Sequence, residues 1–131
     1  MAEERKPYIL VVDDQPGVRR LVAEALRDER WDVDMAASGA EALEKIQERM
    51  PDLIFIDLKM PGMNGLETVR EIRRMEDGGG KVEIVLMTAY GELHMLAEAE
   101  RLGIKDHVMK PFDINILREL AAKTVLQENV F

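Results

Sequence analysis

Short, wholly apolar stretches that stop on an acid constrain this chain more than any other feature. Leu53 to Ile56 contains no polar residue, ends on Asp57 and is turned at Pro61-Gly62. Tyr8 to Val12 repeats the pattern and stops at Asp13-Asp14. Runs this short and this uniformly apolar suit strands buried on both faces of a parallel sheet. A carboxylate at the end of such a strand avoids the core, where its charge would be penalised. It also lies where open α/β sheets take their ligands. Asp57 is the first candidate on those grounds.

The rest of the chain alternates helix and strand signals. Pro16 suits the first turn of a helix, with Val18, Leu21, Val22, Ala25 and Leu26 at helical spacing and an end expected near Arg30. Trp31 to Ala36 alternates apolar and polar residues, as an edge strand does. Ser38 and Glu41 form a capping-box pattern ahead of Ala42, Leu43 and Ile46, and Met50-Pro51 closes that helix. A third helix carries Leu66, Val69, Ile72 and Arg73, and Asp77-Gly78-Gly79-Gly80 reads as a solvent-exposed turn. Strands are expected over Val82 to Met87 and Ile104 to Met109, with a helix from about Glu92 to Leu102 between them. Asp113 caps a last helix whose stripe is Ile116, Leu117, Leu120, Ala121 and Val125. Five strands alternating with five helices predict an α/β, doubly wound, five-stranded parallel sheet. Its size suits the flavodoxin-like strand order 2-1-3-4-5. The expected organisation is a tail over 1–7, one domain over 8–126 and a tail over 127–131, with no output domain.

Bulk properties exclude several classes. A net charge of −8 opposes non-specific nucleic-acid binding and adhesion to an anionic membrane surface. With no cysteine there is neither a disulfide nor a thiolate metal site. No apolar run approaches a membrane span, and the N-terminus lacks the apolar core of a signal peptide, so a cytoplasmic location is expected.

In the order 2-1-3-4-5 the first, third, fourth and fifth strands are neighbours, and their ends carry Asp13-Asp14, Asp57, Thr88 and Lys110. Taken singly, an Asp there is more often a helix cap and a Lys before Pro a surface charge. Falling together on consecutive strand ends, they read as one site. Crowded carboxylates repel unless neutralised. Oxygen-only ligands select a hard cation, with Mg²⁺ favoured because it uses only one or two carboxylates. Lys110 supplies a point charge for a phosphate and Thr88 a hydroxyl donor. Such an assembly suits phosphoryl transfer onto Asp57 as nucleophile, giving an acyl phosphate.

Val11-Val12-Asp13-Asp14, Phe55 to Gly65, Met87-Thr88-Ala89 and Met109-Lys110-Pro111-Phe112 together resemble the receiver domains of bacterial two-component response regulators. The resemblance spans Tyr8 to about Val125. It implies that Asp57 is the phosphoacceptor, charged from a phosphohistidine of a sensor histidine kinase. It implies that Asp14, Asp57 and the backbone carbonyl of Lys59 hold Mg²⁺, with Asp13 acting through water. It further implies that Lys110 contacts the phosphoryl group and that Thr88 moves toward it as a switch. Many members carry Tyr or Phe where this chain has His107, so His107 is either the second switch residue or a half-buried histidine filling space beside the last helix.

The loops, including Asp13-Asp14-Gln15 and Thr88 to Leu93, resemble those of single-domain phosphorelay intermediates of the sporulation type. That likeness implies a carrier passing phosphate to a histidine phosphotransferase, without nucleic acid or membrane contact, as a monomer and not as a metabolic enzyme. Docking would then use Gln15, Pro16, Gly17, Val18, Leu21, Tyr90, Pro111 and Phe112, although a leucine in a helical stripe, such as Leu21, ordinarily faces the core. The resemblance also implies that Lys59 and Tyr90 occupy positions that influence how readily water reaches the phosphoryl group. The alternatives are a chemotaxis-like receiver that binds an effector directly, a receiver cut from a DNA-binding regulator, and a Mg-dependent phosphohydrolase. The last would need a general acid and a cap, and neither is apparent after Asp57.

Overall fold

A computed structural model describes residues 6–76 and 82–126. The turn expected at Asp77-Gly78-Gly79-Gly80, the tail expected over 127–131 and the side chain of Tyr90 lie outside the described residues. The chain runs β1 (Tyr8–Val12), α1 (Pro16–Ala25), β2 (Asp32–Ala36), α2 (Gly39–Glu48), β3 (Leu53–Asp57), α3 (Gly65–Met75), β4 (Glu83–Thr88), α4 (Leu96–Arg101), β5 (Asp106–Met109) and α5 (Ile114–Val125). A 3₁₀ helix over Tyr90–Met95 precedes α4. All strands pair in parallel in the order β2-β1-β3-β4-β5, as the sequence predicts. No helix among the described residues is long and apolar enough to cross a membrane.

Alternation along the central strands divides the core into two halves. Leu10, Val12, Ile54, Ile56, Ile84 and Leu86 pack against α2, α3 and α4 through Ala42, Ile46, Leu66, Val69, Ile72 and Ala99. Ile9, Val11, Leu53, Phe55, Val85 and Met87 face the opposite side and meet Val22 and Leu26 of α1, Trp31, and Leu117 and Ala121 of α5. Every residue of β1 and β3 is buried, which is why those strands read as unbroken apolar runs.

Local expectations fare unevenly. Pro16 opens α1, the Ser38 side chain accepts the Glu41 N–H at 3.0 Å, and Asp113 caps α5. Glu41 reaches back to the Ala37 N–H at 2.7 Å instead of closing on Ser38. The first helix stops at Ala25, not near Arg30. Its last carbonyls are taken from elsewhere: Trp31 Nε1 donates to the Leu26 carbonyl at 2.6 Å, and Arg118 of α5 donates to Ala25 and Arg27 at 2.8 and 3.0 Å. These side chains supply the partners that another helical turn would have supplied. The helix expected from Glu92 begins instead as the 3₁₀ turn and becomes α-helical only at Leu96. Ile116, expected in the α5 stripe, is 45% exposed.

Candidate functional site

The sheet register assembles the predicted residues. Val12 pairs with Ile56, so Asp13 emerges level with Asp57, and Thr88 and Lys110 follow at the ends of β4 and β5. Main-chain bonds continue each ladder by one residue, from Asp13 N to Ala36 O at 3.2 Å, Leu58 N to Met87 O at 3.0 Å and Lys110 N to Thr88 O at 2.8 Å. Lys110 Nζ lies 3.3 Å from Asp13 Oδ2 and 3.2 Å from Asp57 Oδ1. Carboxylate oxygens of Asp13, Asp14 and Asp57 lie within 4.8 Å of one another. Asp13 and Asp57 are buried, and Asp14 is half-buried. The Thr88 hydroxyl is fully buried and finds no hydrogen-bond partner among the described residues.

Such a cluster is electrostatically uneasy. Burial, then the neighbouring Asp13 charge, pushes the Asp57 carboxyl from the ordinary 3.8 up to about 6, although Lys110 pulls the other way. Burial also opposes the Lys110 ammonium, but Asp57 and Asp13 outweigh it and hold that group above its usual value. A folded-state value raised on an acid means that the folded chain binds more protons than the unfolded chain between about pH 4 and 6, so this group's contribution falls as pH rises through that window. Asp57→Asn is therefore expected to stabilise the protein at pH 7.5 by about 1–2 kcal/mol, less than full conversion of the shift because solvent reaches the mouth of the cluster. The gain should vanish toward pH 4. Urea midpoints at the two pH values check this, and an equal gain at both would contradict it.

Three carboxylates with no nitrogen or sulfur ligand form the donor set of a hard divalent cation. Burial and the Asp13 charge both disfavour the Asp57 carboxylate, and a cation would offset both, so the residues fit a metal. The segment beyond Asp57 is held firmly. Leu58 and Met60 are buried on either side of exposed Lys59, and Gly62 takes φ +75°, a conformation costly for any other residue. Gly65 N donates to Leu58 O at 2.9 Å, and Asn64 with Glu67 forms a reciprocal cap on α3.

The residues assigned to docking are brought to the same end of the molecule in two groups. Gln15, Pro16, Gly17 and Leu21 of α1 and its entry loop are exposed, as is Pro111 beyond β5; Val18 and Phe112 are half-buried. Leu21, at 49% exposure, does not face the core. Of the two readings of His107, the half-buried one does not hold: the residue is exposed on the edge strand β5 and lines a groove with Leu96, Ala99 and Ile104.

Two residues near the acids escaped the sequence reading. Arg19 Nη1 donates to the Asp13 carbonyl at 2.7 Å. Glu92 accepts the Ala89 N–H at 3.0 Å and adds to the charge felt by Asp57. The available signals were a cation in the first turns of a helix, where the macrodipole disfavours it, and an acid three residues into a helical start.

The response regulator receiver domain family model matches residues 9–122. Sporulation initiation phosphotransferase F of Bacillus subtilis is 39% identical over 115 residues, covering 88% of this chain and 90% of that protein. Chemotaxis protein CheY of the same organism is 33% identical, covering 89% of this chain and 96% of that protein. Among solved structures, the chemotaxis protein CheY4 of Vibrio cholerae superposes with a TM-score of 0.82 at 29% identity, covering 92% of this chain and 99% of that one. With the parallel sheet, the acid cluster and these likenesses together, the chain belongs to the response regulator receiver domains of two-component systems.

Proposed function

We propose that this receiver accepts a phosphoryl group on Asp57 from the phosphohistidine of a sensor histidine kinase and hands it to a histidine phosphotransferase. The observation that carries the proposal is the convergence of Asp13, Asp14 and Asp57 with Lys110 and the Thr88 hydroxyl, which has no partner among the described residues. Mg²⁺ held by Asp14, Asp57 and the Lys59 backbone carbonyl, with Asp13 assisting, would neutralise phosphoryl oxygens. An Asp57 oxygen attacks phosphorus, the P–N bond to the imidazole breaks, and the nitrogen leaves with the electron pair. Lys110 stabilises charge on the phosphoryl oxygens, and the Thr88 hydroxyl donates to one of them. The same steps in reverse load a second histidine.

The likeness to the sporulation phosphotransferase over nearly its whole length supports the relay reading. Exposed Leu21 beside Gln15, Pro16 and Gly17 supports docking of a partner helix there. The comparable likeness to a chemotaxis protein supports a second reading, in which phosphorylation tunes affinity for an effector.

Incubation with acetyl phosphate, followed by intact mass, tests the chemistry. One added phosphoryl group is expected with Mg²⁺, none after chelation and none in Asp57→Asn. Retention of the added mass in Asp57→Asn would overturn the assignment. Loss of the group to an added histidine phosphotransferase supports the relay; no transfer, with tighter binding to an effector, favours the second reading.

A further inference from the structure

We infer that Arg19 is a positioning residue that fixes the acid loop for cation binding by locking the Asp13 main chain. The inference rests on the metal reading proposed above. Every oxygen of Asp13 has a donor assigned to it. Oδ1 accepts the Gln15 N–H at 2.9 Å, Oδ2 accepts Lys110 Nζ at 3.3 Å, and the main-chain carbonyl accepts Arg19 Nη1 at 2.7 Å. Its own N–H continues the ladder to Ala36 O. Asp13 is thereby held at both ends of the residue, and the direction in which the chain leaves it toward Asp14 is fixed.

The lock is needed because α1 has no ordinary N-terminal cap. Gln15, at the cap position, makes no side-chain capping bond, Pro16 occupies the first turn, and no acid stands there. What orders the loop is Asp13 from below and Arg19 from one turn above, whose own N–H bonds to Gln15 O at 2.9 Å. The guanidinium folds back over residues 13–15 and closes a ring of bonds around Asp14. Asp14 itself is half-buried and supplies a carboxylate oxygen to the cluster. A cation drawing on Asp14 and Asp57 needs the two backbones at a constant separation. The strand fixes Asp57, and Arg19 does the same for Asp14.

Charge and position make opposite predictions here, which makes the inference testable. Arg19 is a cation near three carboxylates, so through space alone it opposes a second cation. Removing it would then tighten Mg²⁺ binding. As a positioning residue, its removal loosens Mg²⁺ binding. Isothermal titration of MgCl2 into the full chain, compared with Arg19→Met, Arg19→Lys and Arg20→Met, separates the two. Arg20 is exposed and makes the same change in charge without touching the loop. The Arg19→Met dissociation constant is expected to rise roughly tenfold, at the low end for residues that orient ligands indirectly. Arg19→Lys should recover part of that loss, and Arg20→Met should bind as well as the parent or slightly better. Emission from the single tryptophan, Trp31, buried against Leu26 away from the acids, reports that each variant is folded. Unchanged or tighter binding in folded Arg19→Met overturns the inference. No saturable binding by the parent chain overturns the metal reading itself, so the two failures are distinct.

Discussion

A methyl group on Gly65 is expected to destabilise the fold by about 3 kcal/mol, near the upper range for overpacking. A Cβ there would stand 2.5 Å from the Asp57 carbonyl oxygen and 2.9 Å from Leu58 Cα. Both neighbours are main chain, so no rotamer change relieves the clash. If α3 withdraws, Gly65 N loses its bond to Leu58 O and the fully buried Leu58 is disturbed. If instead the end of β3 yields, the backbone carrying the Asp57 carboxylate turns with it. Gly65→Ala should therefore lower the urea midpoint and weaken Mg²⁺ binding together. Gly17→Ala is the control, because nothing stands within 4 Å of a Cβ there and the helix gains a better former. A Gly65→Ala midpoint equal to that of the parent would show that the contact is relieved at no cost.

Lys110→Met should cost about 2–3 kcal/mol at pH 8 and roughly half that at pH 5. Breaking a buried charge pair costs more than that in full burial, but the Lys110 side chain keeps 23% exposure. The pH dependence follows from Asp57. Its carboxyl already sits at about 6 despite the downward pull of Lys110, so removing the ammonium raises it further. The folded chain then holds its extra proton to higher pH, and the window over which stability falls extends upward. Near pH 5 Asp57 is protonated in the variant, and the repulsion between the two carboxylates is gone, leaving only Asp13 without its cation. At pH 8 Asp13 and Asp57 face each other without their cation. Urea midpoints at the two values test this, and a loss independent of pH would mean that the ammonium does not act through the ionisation of Asp57.

Much of this arrangement was legible because the strands of a two-sided parallel sheet cannot disguise themselves. Tyr8–Val12 and Leu53–Asp57 are apolar throughout since both faces are covered, and the polar residue that ends each run is where the chain leaves the core. That pattern alone brings Asp13, Asp57, Thr88 and Lys110 together. Features set by distant side chains were not legible. Where α1 stops depends on Arg118, more than ninety positions later, supplying donors to Ala25 and Arg27. Leu21 reads as a core leucine by spacing, yet Val22 and Leu26 fill that face and leave Leu21 outward. His107 could be read as space-filling beside the last helix, but on the edge strand β5 only Val108 is buried and both Asp106 and His107 stand in solvent. The role of Arg19 depends on where one carbonyl points, which no periodicity encodes.

The ion pair between Lys110 and Asp13 joins positions 97 apart in the chain. Pairing of β1 with β3 is enough to gather the acids, whereas the ammonium arrives only when the four-residue edge strand β5 docks on β4. Segments that bury few apolar side chains are the easiest to open locally, and of β5 only Val108 is buried. Fraying of β5 would strip the cation from the cluster while the central sheet stayed intact. A complete charge cluster is thus a stricter condition than being folded: a molecule with its core in place but its last strand adrift would hold three acids without their ammonium well before it was unfolded.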